Sequence, residues 1–423
     1  MSDLQLAPRG LEPLVLLLRR NARTVLQGVR HGMEYLCDSR SLPRLQPPMA
    51  VDHMSSVSPG VVTQRLVRRV HSCLEQKLLI FCKRSSHVRA RTDNFDSLNM
   101  IIATVDRIVA CLRGIATGDA IGKQTETLSI EDVRRWYPGG VRGFEGTPGA
   151  IIPRYAGNSK RQWRIGETTD DTERTLAVAR AIIAGRDVSH VSIGGELLGC
   201  TKCVHPGLKS LWEFHQAADP ARIAKDHDGC GAAIRVAPVG IFYTSDRTAD
   251  IVSGSREASI STHGGSVAIA AAAATAAAVS AAIDGASARH VFECAARAAA
   301  QAEDQWPGAR PAVFTNAIRT LRDDLARLPA LRPEEVAARC FPNGPLTIVP
   351  LALGLAALLR SAEDAILLAA NVGGDSDSVA SIAGGILGAM YPGTVNQDWC
   401  DVVERVNGHD LAAVAGELAR LRH

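Results

Sequence analysis

Two short acidic stretches of the sequence carry residue types that could hold metal ions. The first reads Gly-Glu-Thr-Thr-Asp-Asp-Thr over residues 166–172, and the second reads Gly-Gly-Asp-Ser-Asp-Ser over residues 373–378. Oxygen-only ligand sets of this kind select Mg²⁺, Mn²⁺ or Ca²⁺ over zinc. Because there are two separate clusters, they suggest two ions that share bridging carboxylates. A third stretch, residues 118–126, adds further carboxylates after small residues.

Helix capping is the alternative interpretation of the same residues. Asp170 or Asp171 could cap the helix that follows, as could Asp375 or Asp377, each cap contributing ~1 kcal/mol. A cap needs only one oxygen, however, and each stretch supplies two carboxylates with neighbouring hydroxyls. The helical patterns that follow are apolar around much of their circumference, so these helix ends should face the interior. Burying adjacent carboxylates there requires a cation or protonation. A metal ligand at a helix start can also act as a cap.

Apolar periodicity predicts that helices position these groups. Ile101, Val105, Ile108 and Leu112 recur at helical spacing, and we find no alternating run long enough for a sheet. The predicted class is all-α, a single globular domain of orthogonally packed helices with a binuclear metal site. Residues 137–166 are predicted to be a long loop. The further predicted helices cover residues 170–184, 191–199, 207–217, 230–242, 249–260, 265–283, 287–303, 310–326, 333–339, 347–359, 362–370, 377–390 and 410–421.

The composition is that of an ordinary globular protein with an alanine-rich core. Of the 423 residues, 46% are hydrophobic but only 4% are aromatic, so alanine and leucine must supply most of the packing. The most apolar run, residues 267–283, is mostly alanine. Because alanine barely favours lipid, we predict a buried helix there and no membrane partner.

Basic charge is concentrated at the N-terminus. Residues 1–92 contain 15 lysines and arginines against 6 acidic residues, whereas the rest contain 32 against 38. The mildly acidic body argues against nucleic-acid binding. We expect residues 1–95 to be a basic, poorly ordered, non-catalytic extension. An Arg-rich targeting segment, or sequence upstream of the natural start near Met100, are the alternatives.

The ten cysteines are scattered without the spacing of a disulfide framework. This usage predicts a reduced, cytoplasmic protein. Cys200, Cys203 and His205 lie close in sequence, but no second Cys/His pair follows at a suitable spacing, so a zinc site is disfavoured.

Five segments, taken in order, resemble the ADP-ribosylglycohydrolase family of the dinitrogenase-reductase-activating type. Each segment alone is a weak signal, but five in the same order, spread over about residues 104–395, are a strong one. They are GIATGDAIGKQTE (114–126), TTDDTERTLAVARAI (168–182), DGCGAAIRVAPVGIFY (228–243), STHGGSVAIAAAA (261–273) and NVGGDSDSVASIAGGILGAMYPG (371–393).

The resemblance implies an all-α catalytic domain over residues 100–423 that holds two Mg²⁺ ions, with Mn²⁺ as a possible substitute. It implies hydrolysis of an N- or O-glycosidic bond at the anomeric carbon of ribose, most simply the removal of ADP-ribose from a modified protein or small molecule. We expect a monomer. By position, the implied metal ligands are Thr169, Asp170, Asp171, Asp375, Asp377 and Ser378.

The same alignment of motifs implies catalytic and substrate-binding residues. Asp170 or Glu126 would act as the general base. Asp119 is assigned no role. It could be a hydrogen-bond partner of the metal ligands or only a hydrogen-bond acceptor within its helix. Arg235 would hold phosphate unless it is a surface or helix-linking arginine, and His263 could instead be a residue at the edge of the core. The implied substrate-binding positions are Gly229, Cys230, Gly231, Arg235, His263, Gly373 and Gly374.

Two departures from the family pattern bear on the substrate. Cys230 stands where the family usually has asparagine, and Ile234 stands where it has methionine. The lost amide removes one donor and one acceptor that could touch ribose or phosphate. A metal-dependent glycosidase of a nucleoside-like or sugar metabolite is therefore the alternative function. An inactive ADP-ribose-binding module is a weaker one, because all six implied metal positions carry oxygen ligands.

Overall fold

A computed structural model describes residues 89–158, 161–202, 224 and 227–423, with side chains from Ile101 onward. The predicted helix over residues 207–217, Cys203, His205 and nearly all of the predicted N-terminal extension lie outside these residues.

The described residues form fifteen α-helices and no strand, only an isolated antiparallel bridge between Ile151 and Arg164. This confirms the all-α class. Short 3₁₀ turns cover Pro153–Tyr155, Cys230–Arg235 and Pro392–Thr394. The helices are α1 (Arg89–Gly122), α2 (Ile130–Trp136), α3 (Asp170–Gly185), α4 (His190–Leu198), α5 (Ala237–Phe242), α6 (Thr248–Ser259), α7 (Ser266–Ile283), α8 (Ala288–Gln305), α9 (Val313–Ala326), α10 (Pro333–Cys340), α11 (Pro345–Leu358), α12 (Ala362–Val372), α13 (Ser376–Met390), α14 (Gln397–Asn407) and α15 (Leu411–Leu421).

Three elements differ from the sequence prediction. The single helix predicted over residues 230–242 is a 3₁₀ turn followed by α5. The reason is Pro238, which lacks an N–H and whose ring would clash with the carbonyl four residues earlier in a continuous α-helix. The helices α2 and α14 were missed. Both begin at polar caps, with the side chains of Ser129 and Asn396 accepting backbone N–H bonds from the first turn.

A seam of small residues joins α1 to α13 in antiparallel contact. Gly114, Gly118 and Gly122 repeat at four-residue spacing and so share one face of α1. A Cβ added at Gly118 would lie 2.2 Å from the carbonyl oxygen of Ala380, and one at Gly122 would lie 2.5 Å from Cα of Asp377. Glycine is therefore required for this close approach, which brings the end of α1 against the start of α13.

The alanine-rich helix α7 lies in the core, as predicted. Among the described residues, α7 is the helix with the length and apolar composition of a membrane span, yet 94% of it is buried inside the protein. It packs against α5, α6, α8, α11 and α13. Alanine allows these close contacts because it occupies little volume and loses no rotamer entropy.

Candidate active site

The structure shows which residues cap the two helices that begin at the acidic stretches. At α3 the cap is Thr169, whose side chain accepts the N–H of Asp171 at 3.2 Å. At α13 the N-cap position is Asp375, and its side chain accepts no capping hydrogen bond. Asp377 accepts only the N–H of the adjacent Ser378, at 3.1 Å. The aspartates of these two stretches are therefore not used as helix caps.

Instead, the carboxylates of both stretches lie near enough to Asp171 to act on it electrostatically. Burial raises the pKa of Asp171 well above its usual range, and repulsion from Asp377, Asp119, Asp170 and Asp375 raises it further. The Oδ2 atom of Asp171 is buried and accepts no hydrogen bond from the residues that the structure describes. The fold thus places several acidic side chains around Asp171 and leaves one of its carboxylate oxygens without a hydrogen-bond donor.

Asp377 is the second buried carboxylate of this acidic cluster. It lies in the first turn of α13 and is only 4% exposed. Burial and the charge of Glu126 raise its pKa well above the usual range, while Lys123 opposes that shift. The Lys123 ammonium lies 3.6 Å from Oδ2 of Asp377.

Asp119, which had no assigned role, positions the α3 end of the cluster. Its carboxylate accepts the backbone N–H of Thr169 at 2.9 Å, and both the N–H and the hydroxyl of Thr172, at 3.0 and 2.5 Å. Because Asp119 is fully buried, these bonds fix the start of α3 against the last turn of α1. The position of an acid directly after Gly118 in the sequence could not by itself have shown which backbone groups it would bind.

Glu126 lies beside the cluster, on the segment that follows α1. Its carboxylate pairs with Lys123 and accepts the hydroxyl of Tyr155 at 3.4 Å. Arg154 donates to the carbonyls of Gln124 and Glu126, both at 2.7 Å, and so holds this segment in place. Lys123, Arg154 and Tyr155 were not among the predicted site residues, because none of them carries the carboxylate or short hydroxyl side chain of a predicted metal ligand.

The loop over residues 229–231 lies against the second acidic stretch. The thiol of Cys230 donates to Oδ2 of Asp375 at 3.4 Å. Burial and the charge of Asp375 raise the thiol pKa well above its usual range, so the group stays a neutral donor. A Cβ at Gly231 would lie 2.7 Å from the His263 ring, which is itself in edge contact with the His227 ring. The structure thus brings Gly229, Cys230, Gly231 and His263 together beside the acidic cluster.

Residues 100–423 match the model of the ADP-ribosylglycohydrolase family. The chain belongs to the ADP-ribosylglycohydrolase family. An uncharacterised protein of Archaeoglobus fulgidus is 28% identical over 292 residues, which cover 66% of this chain and 86% of that protein. The uncharacterised protein YegU of Escherichia coli is 25% identical over 341 residues, covering 75% of this chain and 97% of YegU.

The fold agrees with this assignment. A solved structure of an ADP-ribosylglycohydrolase-related protein complex superposes with a TM-score of 0.57 at 23% identity, covering 76% of this chain and 99% of that one. The predicted family is therefore confirmed, and membership suggests a glycosyl hydrolase. The dinitrogenase-reductase-activating subtype stays a prediction.

Arg235, which the resemblance implied to bind substrate, has a structural role in the fold. Arg235 is fully buried and donates to the carbonyls of Gly231 and Ala258 and to the hydroxyl of Thr262 at 2.7 Å. It therefore links the 3₁₀ turn to the end of α6. The physical reason is that the 3₁₀ turn directs this side chain inward, where unpaired carbonyls at the end of α6 need donors. Phosphate binding by Arg235 stays a prediction.

The glycine pair 373–374 forms the turn between α12 and α13. Both residues have positive φ, 79° and 69°. The N–H of Gly374 donates to the carbonyl of Leu128 at 2.8 Å, and a Cβ at Gly373 would lie 2.4 Å from that same oxygen. The structure thus shows a packing requirement for glycine here, and contact with substrate stays a prediction.

The residues of the acidic cluster fit divalent cations in charge and chemistry. The donor set is all oxygen, two carboxylates are buried with raised pKa values, and Asp171 Oδ2 is an orphaned acceptor. Within the described residues, no three Asp, Glu, His or Cys side chains converge into a ready-made ion site. The binuclear metal site is therefore a proposal supported by the composition of the cluster, and ligand distances do not support it.

Proposed function

We propose that this protein is a Mg²⁺-dependent hydrolase of an N- or O-glycosidic bond at the anomeric carbon of ribose, and that it removes ADP-ribose from a modified protein or small molecule. The observation that carries the proposal is the buried acidic cluster around Asp171, with its unsatisfied Oδ2 atom. Such a cluster lowers stability unless it serves a cation or a positively charged reaction centre.

Two Mg²⁺ or Mn²⁺ ions held there would supply a Lewis acid for ribose hydroxyls and for a water molecule. The groups that would hold them are Thr169, Asp170, Asp171, Asp375, Asp377 and Ser378. All six belong to the first turn or the cap of α3 and α13, so two rigid helix starts present them.

Asp170 is our choice for the general base that takes a proton from water. Its side chain is 27% exposed, whereas Asp171 and Asp377 are buried, so Asp170 can reach both the cluster and a water molecule. The Arg174 guanidinium lies 3.5 Å from its carboxylate, one helical turn later, and holds its orientation. Glu126, with 25% of its side chain exposed, is the second candidate base. The surrounding negative charge also stabilises the positive charge that develops at the anomeric carbon.

Two observations favour the alternative, cleavage of a nucleoside-like or sugar metabolite. Cys230 offers Asp375 a single weak donor and cannot provide the two-way hydrogen bonding of an amide. Arg235, the implied phosphate anchor, is buried in backbone contacts. Both reduce the capacity of this side of the site to bind a diphosphate.

A substrate panel tests the two functions. ADP-ribosylated arginine and serine peptides and free nucleosides would each be incubated with Mg²⁺ and with a chelator. Release of ADP-ribose that requires Mg²⁺ supports the proposal, and cleavage of nucleosides alone supports the alternative. Asp170→Asn should remove activity, whereas Asp187→Asn, the same change at an exposed position after α3, should not. Metal-loaded protein that cleaves no member of the panel would contradict both.

A further inference from the structure

Lys123 places an ammonium group inside the acidic cluster. The residue is only 6% exposed, and its Nζ pairs with Glu126 and lies 3.6 Å from Oδ2 of Asp377. The ammonium also lies over the ring of Trp163, with the ring centroid 4.5 Å from Nζ. A lysine is seldom buried to this degree unless it is paired.

Several independent contacts hold Lys123 in this position. It is the first residue after α1, and its N–H still bonds the carbonyl of Asp119 at 2.9 Å. Arg154 donates to the carbonyl of Lys123 at 3.0 Å, which fixes the backbone. Trp163 is itself buried with Ile152 and Ile165 in a small separate apolar cluster. The ammonium therefore stays in the cluster because the chain on both sides of it is anchored.

The ammonium serves only one side of the cluster. It reaches Asp377 and Glu126, whereas Asp170 has its own cation in Arg174. Asp375 accepts only the neutral thiol of Cys230 among the contacts described. The orphaned Oδ2 atom of Asp171 has neither a hydrogen bond nor an ion pair with Lys123 or Arg174 among the described contacts.

We propose that the Lys123 ammonium is a built-in cation at the Asp377–Glu126 side of the cluster, so that this protein binds one divalent ion tightly and a second only in competition with Lys123. This inference rests on the metal dependence in the proposed function and refines it. The ammonium already neutralises charge on Asp377 and Glu126, so a divalent ion at the same carboxylates would be repelled by it, most strongly in a buried, poorly solvated site. A second ion must therefore displace the ammonium from Asp377, and its affinity falls accordingly.

The test is the stoichiometry of Mn²⁺ binding to the full chain, measured by calorimetry and by electron paramagnetic resonance of free Mn²⁺, without substrate. We expect the wild type to bind one ion tightly and a second at least about tenfold more weakly. Lys123→Met removes the charge and keeps the length of the side chain, so the second ion should bind at least about tenfold more tightly than in the wild type. Lys123→Arg keeps the charge and should retain the wild-type pattern.

Lys202→Met is the matched control, because Lys202 is also partly buried but donates to the backbone carbonyl and hydroxyl of Thr168. It should leave the stoichiometry unchanged. Two equally tight ions in the wild type, or an unchanged second site in Lys123→Met, would overturn the inference. Circular dichroism shows whether Lys123→Met is folded; if it is not, the wild-type isotherm alone decides between one tight ion and two.

The result is separable from that of the substrate panel. A protein that binds two equal ions and releases ADP-ribose refutes the role of Lys123 and leaves the proposed function standing. A protein that binds one ion tightly and cleaves no substrate of the panel supports the role of Lys123 and contradicts the proposed function. Absence of any Mn²⁺ binding refutes both.

Discussion

Asp377→Asn should show that the acidic cluster supports catalysis but lowers the stability of the metal-free protein. The substitution removes one negative charge from a side chain that is 4% exposed. Asparagine has nearly the same shape, and its amide oxygen can still accept the N–H of Ser378. The helix α13 and its contact with α1 should therefore persist.

Without metal, we expect the variant to be more stable than the wild type at neutral pH. Burial and Glu126 raise the pKa of Asp377 well above its usual range in the folded protein, so ionisation is disfavoured there relative to the unfolded chain. Neutral asparagine avoids the cost of ionising a buried carboxyl, so the free energy of unfolding at pH 7.5 should rise, by an amount on the order of 1 kcal/mol. The gain should vanish below about pH 3, where the carboxyl is protonated in both states.

With Mg²⁺, the order should reverse. Loss of a ligand should weaken Mg²⁺ binding, and with it turnover, by at least about a hundredfold, so the variant should lose most of the stabilisation that saturating metal gives the wild type. The assay is thermal unfolding with Mg²⁺ and with a chelator, followed by turnover on the best substrate of the panel. The control is Asp364→Asn, the same change at an exposed position in the first turn of α12, which should shift stability by less than about 0.5 kcal/mol. A variant that is less stable in chelator, or that turns over substrate at a near wild-type rate, would refute the reasoning.

Three further predictions concern the glycine seam, the support of the acidic cluster by Asp119 and the pH dependence of stability. Gly122→Ala should destabilise the protein by about 3 kcal/mol or more, because its Cβ would lie 2.5 Å from the backbone of Asp377; Gly416→Ala, in α15 with nothing within 4 Å, should instead stabilise by up to about 1 kcal/mol in chemical denaturation, and equal effects would contradict the packing argument. Asp119→Asn should weaken Mg²⁺ binding about tenfold to a hundredfold, because one acceptor of the Thr169 and Thr172 bonds becomes a donor; calorimetry with unchanged affinity would contradict this. Burial and nearby Lys202 lower the pKa of His409 to about 4, so the unfolded chain takes up a proton below about pH 6.5 while the fold does not, and stability should fall between pH 6.5 and 4. His409→Gln should reduce that loss by about 1 kcal/mol after allowance for its partial exposure, and an identical pH slope in the variant would show that another group is responsible.

Much of the local structure could be predicted from the sequence, because the signals lie within a few residues. The helical periodicity of the first helix, the all-α class and the buried alanine-rich helix α7 are all confirmed. The family could be predicted because its motifs keep their order along the chain, and the match over residues 100–423 confirms it. The short helices α2 and α14 were missed, and the segment over residues 230–242 was misassigned where Pro238 interrupts the α-helix.

Only the tertiary structure determines which carboxylates lie close together and which groups compensate their negative charge. The two acidic stretches were predicted to share metal ions, and in the fold the charges of Asp377 and Asp375 act on Asp171. The sequence could not predict that Thr169 would be the cap, that Asp119 would hold the start of α3, or that Arg235 would point into the protein.

The physical reason is the range over which each effect acts. Periodicity and proline chemistry depend on neighbours within about one helical turn, so they can be read along the chain. The contact between Lys123 and Asp377 joins residues that are far apart in sequence, across a glycine seam whose closeness depends on the packing of whole helices. Only that packing places the ammonium inside the acidic cluster.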